Sequence, residues 1–562
     1  MKKSIRYGKS LLAALLALFV LASCQTNSQG ENQAEGSGTT NTAVEKAPDT
    51  DESITFIRLS DSGITANGEA VGSDPDKAVY TAHDIVYYEA GHDFTYGEGS
   101  EQDAHTAEEA ASHTVLHIAQ PGVYRLSGKL SKGQIAVDLG EDAETDPKAV
   151  VTLMFDGADI TCDVAPAVIF YSVYECGQKD AEKASKDVDT SAAGARVILA
   201  DGSENNISGS YVARIYKPGS VVLNEEKTEV EDAKKLHKYD GAFYSKMSMT
   251  VDGGEKGSGV LNLRAENEGL DSELHLTVNG GSINIRSGND GINTNEDGVS
   301  VTTINGGSLS ITVTGETGEG DGIDSNGWLV INGGSVSANA CAFSGDAGID
   351  SDNGIHINGG TVIASGNMLD RIEDGGQTYA VFTFAQKQDG GKTVALNNSE
   401  GRTVWEGCPE NGYSILICSS PALVEGTYTL WCDGRQMAGQ KGEVGGFGGG
   451  RPGGMMRPEG FELPEGMMPN GQRPEGFELP EGMTPQERPE SFELPEGMTP
   501  QERPEGFALP EGMTPNGQRP EGMGKANGRD PFRGTDGTSS PLSPDFVIET
   551  GGNTFSGITP LA

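Results

Sequence analysis

Four short phrases in this chain carry an acidic or amide residue at one position: Gly269-Leu270-Asp271-Ser272, Gly291-Ile292-Asn293-Thr294, Gly322-Ile323-Asp324-Ser325 and Gly348-Ile349-Asp350-Ser351. The residue before each phrase adds Glu268, Asp290 and Asp321, and Ala347 breaks that series with Asp346 one place away. Segments that recur at a fixed period stack, and stacking turns each recurring side chain into a column. Adjacent strands lie about 4.8 Å apart, so the columns bring carboxylates into direct repulsion unless they are protonated or bridged by a cation. Calcium takes six to eight oxygens from carboxylates, amides and carbonyls, and alternating Asp and Asn suits it. The expected metal ligands are Glu268, Asp271, Asp290, Asn293, Asp321, Asp324, Asp346 and Asp350, with a dissociation constant on the order of 0.1–1 mM, as in extracellular sites. Any one of these Asp residues is also explained as a turn cap. The ladder as a whole favours the cation.

The elements that position the columns follow from a second repeat. Asn279-Gly280-Gly281, Asn305-Gly306-Gly307, Asn332-Gly333-Gly334 and Asn358-Gly359-Gly360 recur every 26 or 27 residues. Before each lies an alternating segment, with Val278, Ile304, Ile331 and Ile357 inward. After each, alternation resumes with Ile283 and Ile285, Leu309 and Ile311, Val336 and Ala338, Val362 and Ala364. This is the pattern of half-buried strands meeting at a corner. Glycine allows the positive φ of a tight corner, and asparagine tolerates it better than most residues. Ala242-Phe243-Tyr244-Ser245-Lys246 and Asp252-Gly253-Gly254 make a fainter fifth copy. Three short strands per turn predict an all-β chain, a right-handed parallel β-helix (a solenoid). Glu141–Lys148, Lys179–Thr190 and Asn224–Lys238 read as charged surface insertions. On the strand before the corner, His275 and Trp328 share one outward column, and Thr277, Thr303, Val330 and His356 share the next. His275, Trp328 and His356 are the expected carbohydrate contacts, with Trp328 a stacking platform for a sugar ring.

The 562 residues include 81 glycines and 6% aromatics, which suits many turns and thin cores. A net charge of −43 excludes nucleic acid as a partner, because phosphate binding needs a basic face. Lys2, Lys3, Arg6 and Lys9 precede the apolar run Leu11–Ala22, an export signal too short to span a membrane comfortably. It ends in Leu21-Ala22-Ser23-Cys24, which resembles a bacterial lipoprotein signal with Cys24 lipidated. The membrane is then met through the lipid alone, on the outer face of the cell, and a polar tether follows. Of the other six cysteines, no pair has the CxxC spacing of a zinc site, and none is assigned to catalysis.

From Arg457 the phrase Arg-Pro-Glu-Gly-Phe-Glu-Leu-Pro-Glu-Gly-Met recurs with variations. Proline every few residues blocks helix and central strand, so this tract is expected to be disordered. Between Arg451 and Met523 lie 14 Glu and 6 Arg, a balance of −8, so most of the charge belongs to the remainder. Strand patterns resume at Phe546–Glu549 and Asn553–Ile558. The tract therefore reads as an insertion within a C-terminal β-unit. The expected organisation is a signal peptide at 1–23, a tether at 24–53, the β-helix at 54–375, the C-terminal β-unit at 376–436, the low-complexity tract at 437–543 and the unit's final strands at 544–562.

The lipobox, Ile64-Thr65-Ala66-Asn67-Gly68, Gly122-Val123-Tyr124-Arg125-Leu126-Ser127-Gly128, Ala200-Asp201-Gly202-Ser203-Glu204-Asn205, Phe243-Tyr244-Ser245-Lys246 and the two ladders together resemble the secreted carbohydrate-binding β-helix family of clostridial and related Gram-positive bacteria. The similarity spans roughly Ile54 to Gly434 and resumes around Asp545 to Gly557. It implies a pectate-lyase-like fold, calcium binding and association with cellulose and acidic plant sugars. Three function classes follow. One is a non-catalytic surface lipoprotein that binds acidic or cellulosic polysaccharide with calcium. Another is a calcium-dependent polysaccharide lyase, for which Lys246, Arg264 and Arg286 are the candidate bases. The last is a structural surface protein or adhesin without sugar affinity.

Overall fold

The computed structural model describes residues 54–442 and 542–561. The signal peptide, Cys24, the tether and nearly all of the low-complexity tract lie outside the described residues. The regular structure among these residues is almost entirely strand; the one α-helix, Ala107–Ala111, is a single turn closed by a capping box between Thr106 and Glu109. No helix among the described residues is long and apolar enough to cross a membrane.

Three ladders of mainly parallel pairing organise residues 114–366. The phrase ladder joins Thr114–Ile118, Gly133–Asp138, Val168–Ser172, Gly241–Ser245, Glu268–Ser272, Ile292–Thr294 and Ile323–Ser325. The expected fifth copy takes its place there, with Phe243 opposite Leu270 and Tyr244 opposite Asp271. The pre-corner ladder joins Met249–Asp252, Leu276–Val278, Val301–Ile304, Trp328–Ile331 and Ile355–Ile357. The post-corner ladder joins Glu204–Gly209, Val260–Ala265, Ser282–Ser287, Ser308–Val313, Ser335–Asn339 and Thr361–Gly366. Each repeat adds one strand to each ladder, and such a set is one rung. Inward positions form one continuous core, with Leu270, Leu276, Ile283, Ile292, Ile311, Ile323, Leu329 and Ile355 at 3% exposure or less. Each side chain buried this way contributes about 1.5–3 kcal/mol.

The corner glycines divide the work. In the Asn-Gly-Gly corners it is the second glycine that takes the left-handed conformation, as at Gly307 (φ 82°) and Gly334 (φ 81°). The corner asparagines, expected to share that role, keep ordinary φ. Their side chains instead form an amide ladder: Asn305 donates to Asn279, Asn332 to Asn305 and Asn358 to Asn332, each at 2.9 Å.

Two of the ladder ends are closed by reversed strands. Thr361–Gly366 pairs antiparallel with Tyr413–Ser419, and at the other end Val79–Ala82 runs antiparallel to Thr114–Ile118. The C-terminal unit has its own core, including Phe382, Phe384, Trp405, Leu430, Phe546, Phe555 and Ile558. Phe546–Ile548 pairs with Gly426–Cys432, and Gly552–Pro560 pairs with Tyr379–Gln388, so residues from beyond the tract complete sheets begun before it. The strand Arg435–Lys441 runs past the boundary expected at 436, because it pairs with Gly552–Pro560. The six described cysteines are free thiols; Cys341 and Cys418 are buried, as small core residues.

Candidate metal centre and the three outer faces

Leu270, Ile292 and Ile323 point into the core, so the residues that follow them, Asp271, Asn293 and Asp324, point outward from the phrase ladder. They stand opposite one another in adjacent strands, as the stacked phrases require. Ile349 bridges to Ile323 in the same sense and carries Asp350 into the series. Outward does not mean solvated here: Asp271 is 0% exposed, and Glu268, Asn293, Asp324 and Asp290 are also buried.

The cover is the chain's own segment 211–240. Arg214 pairs with Asp240 at 2.8 Å, and the Asp240 carbonyl accepts from Asn267 at 3.0 Å. Tyr239 packs edge-on to Tyr244 at 5.2 Å, and the Tyr244 hydroxyl donates to Glu273 at 2.7 Å. The Asn224–Lys238 insertion is mostly exposed, as expected, and joins this cover only at its end, where Lys238 approaches Glu273 at 3.8 Å.

Two groups of oxygens result. Asp321, Asp324 and Asp350 bring a carboxylate oxygen each within 4.8 Å of one another. One rung earlier, Glu268, Asp271 and Asn293 each use one polar atom and leave another unused. Asn293 donates to Glu268 Oε1 at 3.1 Å, and Asn295 donates to Asp271 Oδ1 at 2.5 Å. Glu268 Oε2, Asp271 Oδ2 and Asn293 Oδ1 are buried with no hydrogen-bond partner. A buried acceptor without a donor costs about 1–3 kcal/mol, more for a charged group, so three together are what a cation would offset. All three are oxygen donors, the type calcium prefers.

The electrostatics agree. Burial, then the neighbouring Glu268, pushes the Asp271 carboxyl well above its usual range. Burial and Asp240 raise Glu268, burial and Glu268 raise Asp290, and burial and Asp290 raise Asp321. The turn-cap role is present as well: Asp290 Oδ1 accepts from the Asp321 N–H at 2.6 Å, and Asp321 Oδ1 from the Ala347 N–H at 2.6 Å. Asp346 is set apart from the expected ligands, because one of its oxygens accepts both the Gly320 N–H at 2.6 Å and the Ser344 hydroxyl.

The expected carbohydrate contacts are placed differently. His275 is 1% exposed, and its Nδ1 accepts from the Val301 N–H at 3.1 Å. Segment 176–190 lies over it: Gly177 touches the imidazole and Thr190 donates to Thr277 at 2.7 Å. Glu175 fastens this segment by accepting from Ser248 N and Oγ, each at 2.7 Å. The column was expected to face outward, and it does; the Lys179–Thr190 insertion folds across it. His275 therefore presents no surface, while Trp328 and His356 remain half-buried.

The post-corner ladder has an open outer face, a groove of about 530 Å³. Its floor carries an amide row that sequence reasoning missed, in which Asn284 donates to Asn262 at 2.9 Å and Asn262 to Asn206 at 3.0 Å. The signal was available, since the three residues hold the same register in adjacent strands. Beside the row stand Arg264 and Arg286, opposite one another and exposed. Of the candidate bases, these two line the groove, and none of the eight expected metal ligands does. Lys246 lies elsewhere, just after the strand Gly241–Ser245.

A family model described as carbohydrate-binding domain-containing protein matches residues 112–378. A protein of Acetivibrio thermocellus with the same description is 29% identical over 179 residues, which is 32% of this chain and 47% of that protein. The chain thus spans about half the length of that relative. A solved structure of a polysaccharide lyase-like protein from C. thermocellum, a gadolinium derivative, aligns over 58% of this chain and 92% of its own at 17% identity. Its TM-score is 0.28, a likeness too slight to carry an argument.

Proposed function

We propose that this chain is a non-catalytic, calcium-assisted polysaccharide-binding protein of the bacterial cell surface, built as a right-handed parallel β-helix of pectate-lyase-like type and held to the membrane by a lipid on Cys24. Its ligands are acidic or cellulosic glycans. The observation that carries the reading is the set of buried, unpartnered oxygens on Glu268, Asp271 and Asn293, inside the stretch similar to carbohydrate-binding proteins. Calcium there and at Asp321, Asp324 and Asp350 removes the repulsion between rungs and fixes the spacing of the faces that meet the glycan. The calcium sits beneath a lid, so its part is to hold the scaffold.

A lyase needs a base and a Lewis-acidic cation at one substrate carbon. Arg264 and Arg286 line a groove that contains none of the oxygens expected to bind metal, which favours binding over cleavage. A pull-down on insoluble glycans, run with calcium and with a chelator, tests the reading. Retention should fall on chelation, without release of unsaturated oligouronides. Equal retention in both conditions would remove calcium from the account, and unsaturated products would replace binding with cleavage.

A further inference from the structure

Two outer faces of the rungs are roofed by the chain itself: the end of segment 211–240 lies over the phrase ladder, where Tyr239 packs on Tyr244 and Lys238 approaches Glu273, and segment 176–190 lies over the pre-corner ladder. The post-corner face is the one that keeps a groove with charged and amide side chains standing free of such a roof. We propose that this groove binds a uronate-bearing glycan strand, with Arg264 and Arg286 holding its carboxylates and the Asn206–Asn262–Asn284 row holding its hydroxyls. This deepens the polysaccharide-binding reading above and rests on it.

The charge pattern selects an anionic ligand. Arg264 and Arg286 are register partners in adjacent parallel strands, so two guanidinium groups rise from points about 4.8 Å apart. Like charges at that spacing repel unless an anion sits between them. Neither has a carboxylate partner among the described residues, although the chain carries −43 overall and nearby cations are paired. Arg125 meets Asp156 at 2.8 Å, and Lys129 meets Asp159 at 2.7 Å. A planar guanidinium offers parallel N–H donors that match a carboxylate, and two in register match carboxylates repeated along a polymer.

The amide row selects a sugar. Asn284 and Asn262 each spend a donor along the row, Asn262 also donates to Glu204 at 3.2 Å, and Asn206 accepts, so the amides at the two ends keep further donor and acceptor capacity. Hydroxyls are both donors and acceptors, so a row of amides can satisfy a series of them. Isoleucine and leucine between these positions point to the core, and the floor stays flat because parallel rungs repeat. Asp159 and Glu410 also line the groove, but Asp159 is paired with Lys129 at 2.7 Å and Glu410 accepts from the Thr312 hydroxyl at 2.9 Å, so the uronate meets the two guanidinium groups there, away from the buried carboxylates of the phrase ladder.

The test is affinity electrophoresis of the full chain in calcium against polygalacturonate and, separately, against a neutral soluble β-glucan. The Arg264→Ala/Arg286→Ala variant should lose about tenfold or more in affinity for polygalacturonate, since a hydrogen bond to a charged group contributes that much. Its melting temperature should stay unchanged, because both side chains are exposed, and Arg264→Lys/Arg286→Lys should recover part of the loss. Added salt should weaken wild-type binding. If the double alanine variant keeps wild-type affinity for polygalacturonate, the groove assignment is overturned while polysaccharide binding stands. If the wild type is retarded by the neutral glucan alone, the uronate assignment is likewise overturned. If it is retarded by neither polymer, nor held by any insoluble glycan, both readings fall.

Discussion

The substitution Asp271→Asn separates a calcium ligand from a merely structural carboxylate, because the two roles predict opposite effects. Asp271 is 0% exposed; one oxygen accepts from Asn295 at 2.5 Å and the other has no partner. Without a cation, burial and the adjacent Glu268 disfavour its charge. An amide of the same shape carries no charge, and its N–H can donate to the neighbouring carboxylate. In calcium-free buffer the variant should therefore gain about 1–3 kcal/mol, the cost of one unsatisfied buried polar group. With calcium the sign reverses. For a dissociation constant of about 0.1 mM, about 10 mM calcium stabilises the wild type by about 2.7 kcal/mol. The variant lacks one anionic ligand and should lose most of that response. Urea unfolding of both proteins with chelator and with calcium gives the four numbers, and calorimetric titration gives the affinity directly. A variant that is less stable than wild type in chelator, or that keeps the full calcium response, would refute the metal-ligand reasoning for this carboxylate.

The calcium-free wild type should lose stability as pH rises. The folded-state carboxyls of Glu268, Asp271, Asp290 and Asp321 lie above their ordinary values of 3.8 for Asp and 4.5 for Glu, so their contribution is full below those values and is lost as pH climbs through the raised ones. Saturating calcium should flatten or reverse that slope between pH 5 and 8 in thermal melts, whereas identical slopes in both conditions would count against the site. At the corner, Gly307→Ala should destabilise by about 1–3 kcal/mol, because φ is 82° there and a Cβ would meet the Gly281 carbonyl at 2.6 Å; a drop in the urea midpoint at constant slope is the expected reading.

Much of the scaffold was legible because rungs obey local rules. The alternation around Asn279, Asn305, Asn332 and Asn358 fixes which side chains face the core, and the shared phrase fixes the column of Asp271, Asn293 and Asp324, although the copy with Asn293 carries four more residues before its corner. What lies beyond an outward side chain is not a local property. His275 alternates outward in perfect register, yet its neighbour Thr277 bonds to Thr190, 87 residues away in the chain. The charged composition of 179–190 and 224–238 pointed to surface, which is correct for most of their length, while single contacts with no period fasten their ends, Thr190 to Thr277 and Lys238 to Glu273. The amide row on the post-corner face was periodic but lay outside the columns first picked out, because amides repel nothing and so raise no electrostatic question.

The reversed strands at the two ends of the parallel ladders bear on self-association. A stack of identical rungs exposes, at each end, the same unpaired N–H and C=O groups that joined the rungs within it, and a second copy arriving end-on could continue the pattern into a filament. Here Tyr413–Ser419 closes the post-corner ladder antiparallel to Thr361–Gly366, and Val79–Ala82 closes the phrase ladder antiparallel to Thr114–Ile118. At those two edges an incoming strand meets a reversed neighbour, so it cannot extend the parallel register there. The strand Tyr413–Ser419 of the C-terminal unit thereby terminates the post-corner ladder.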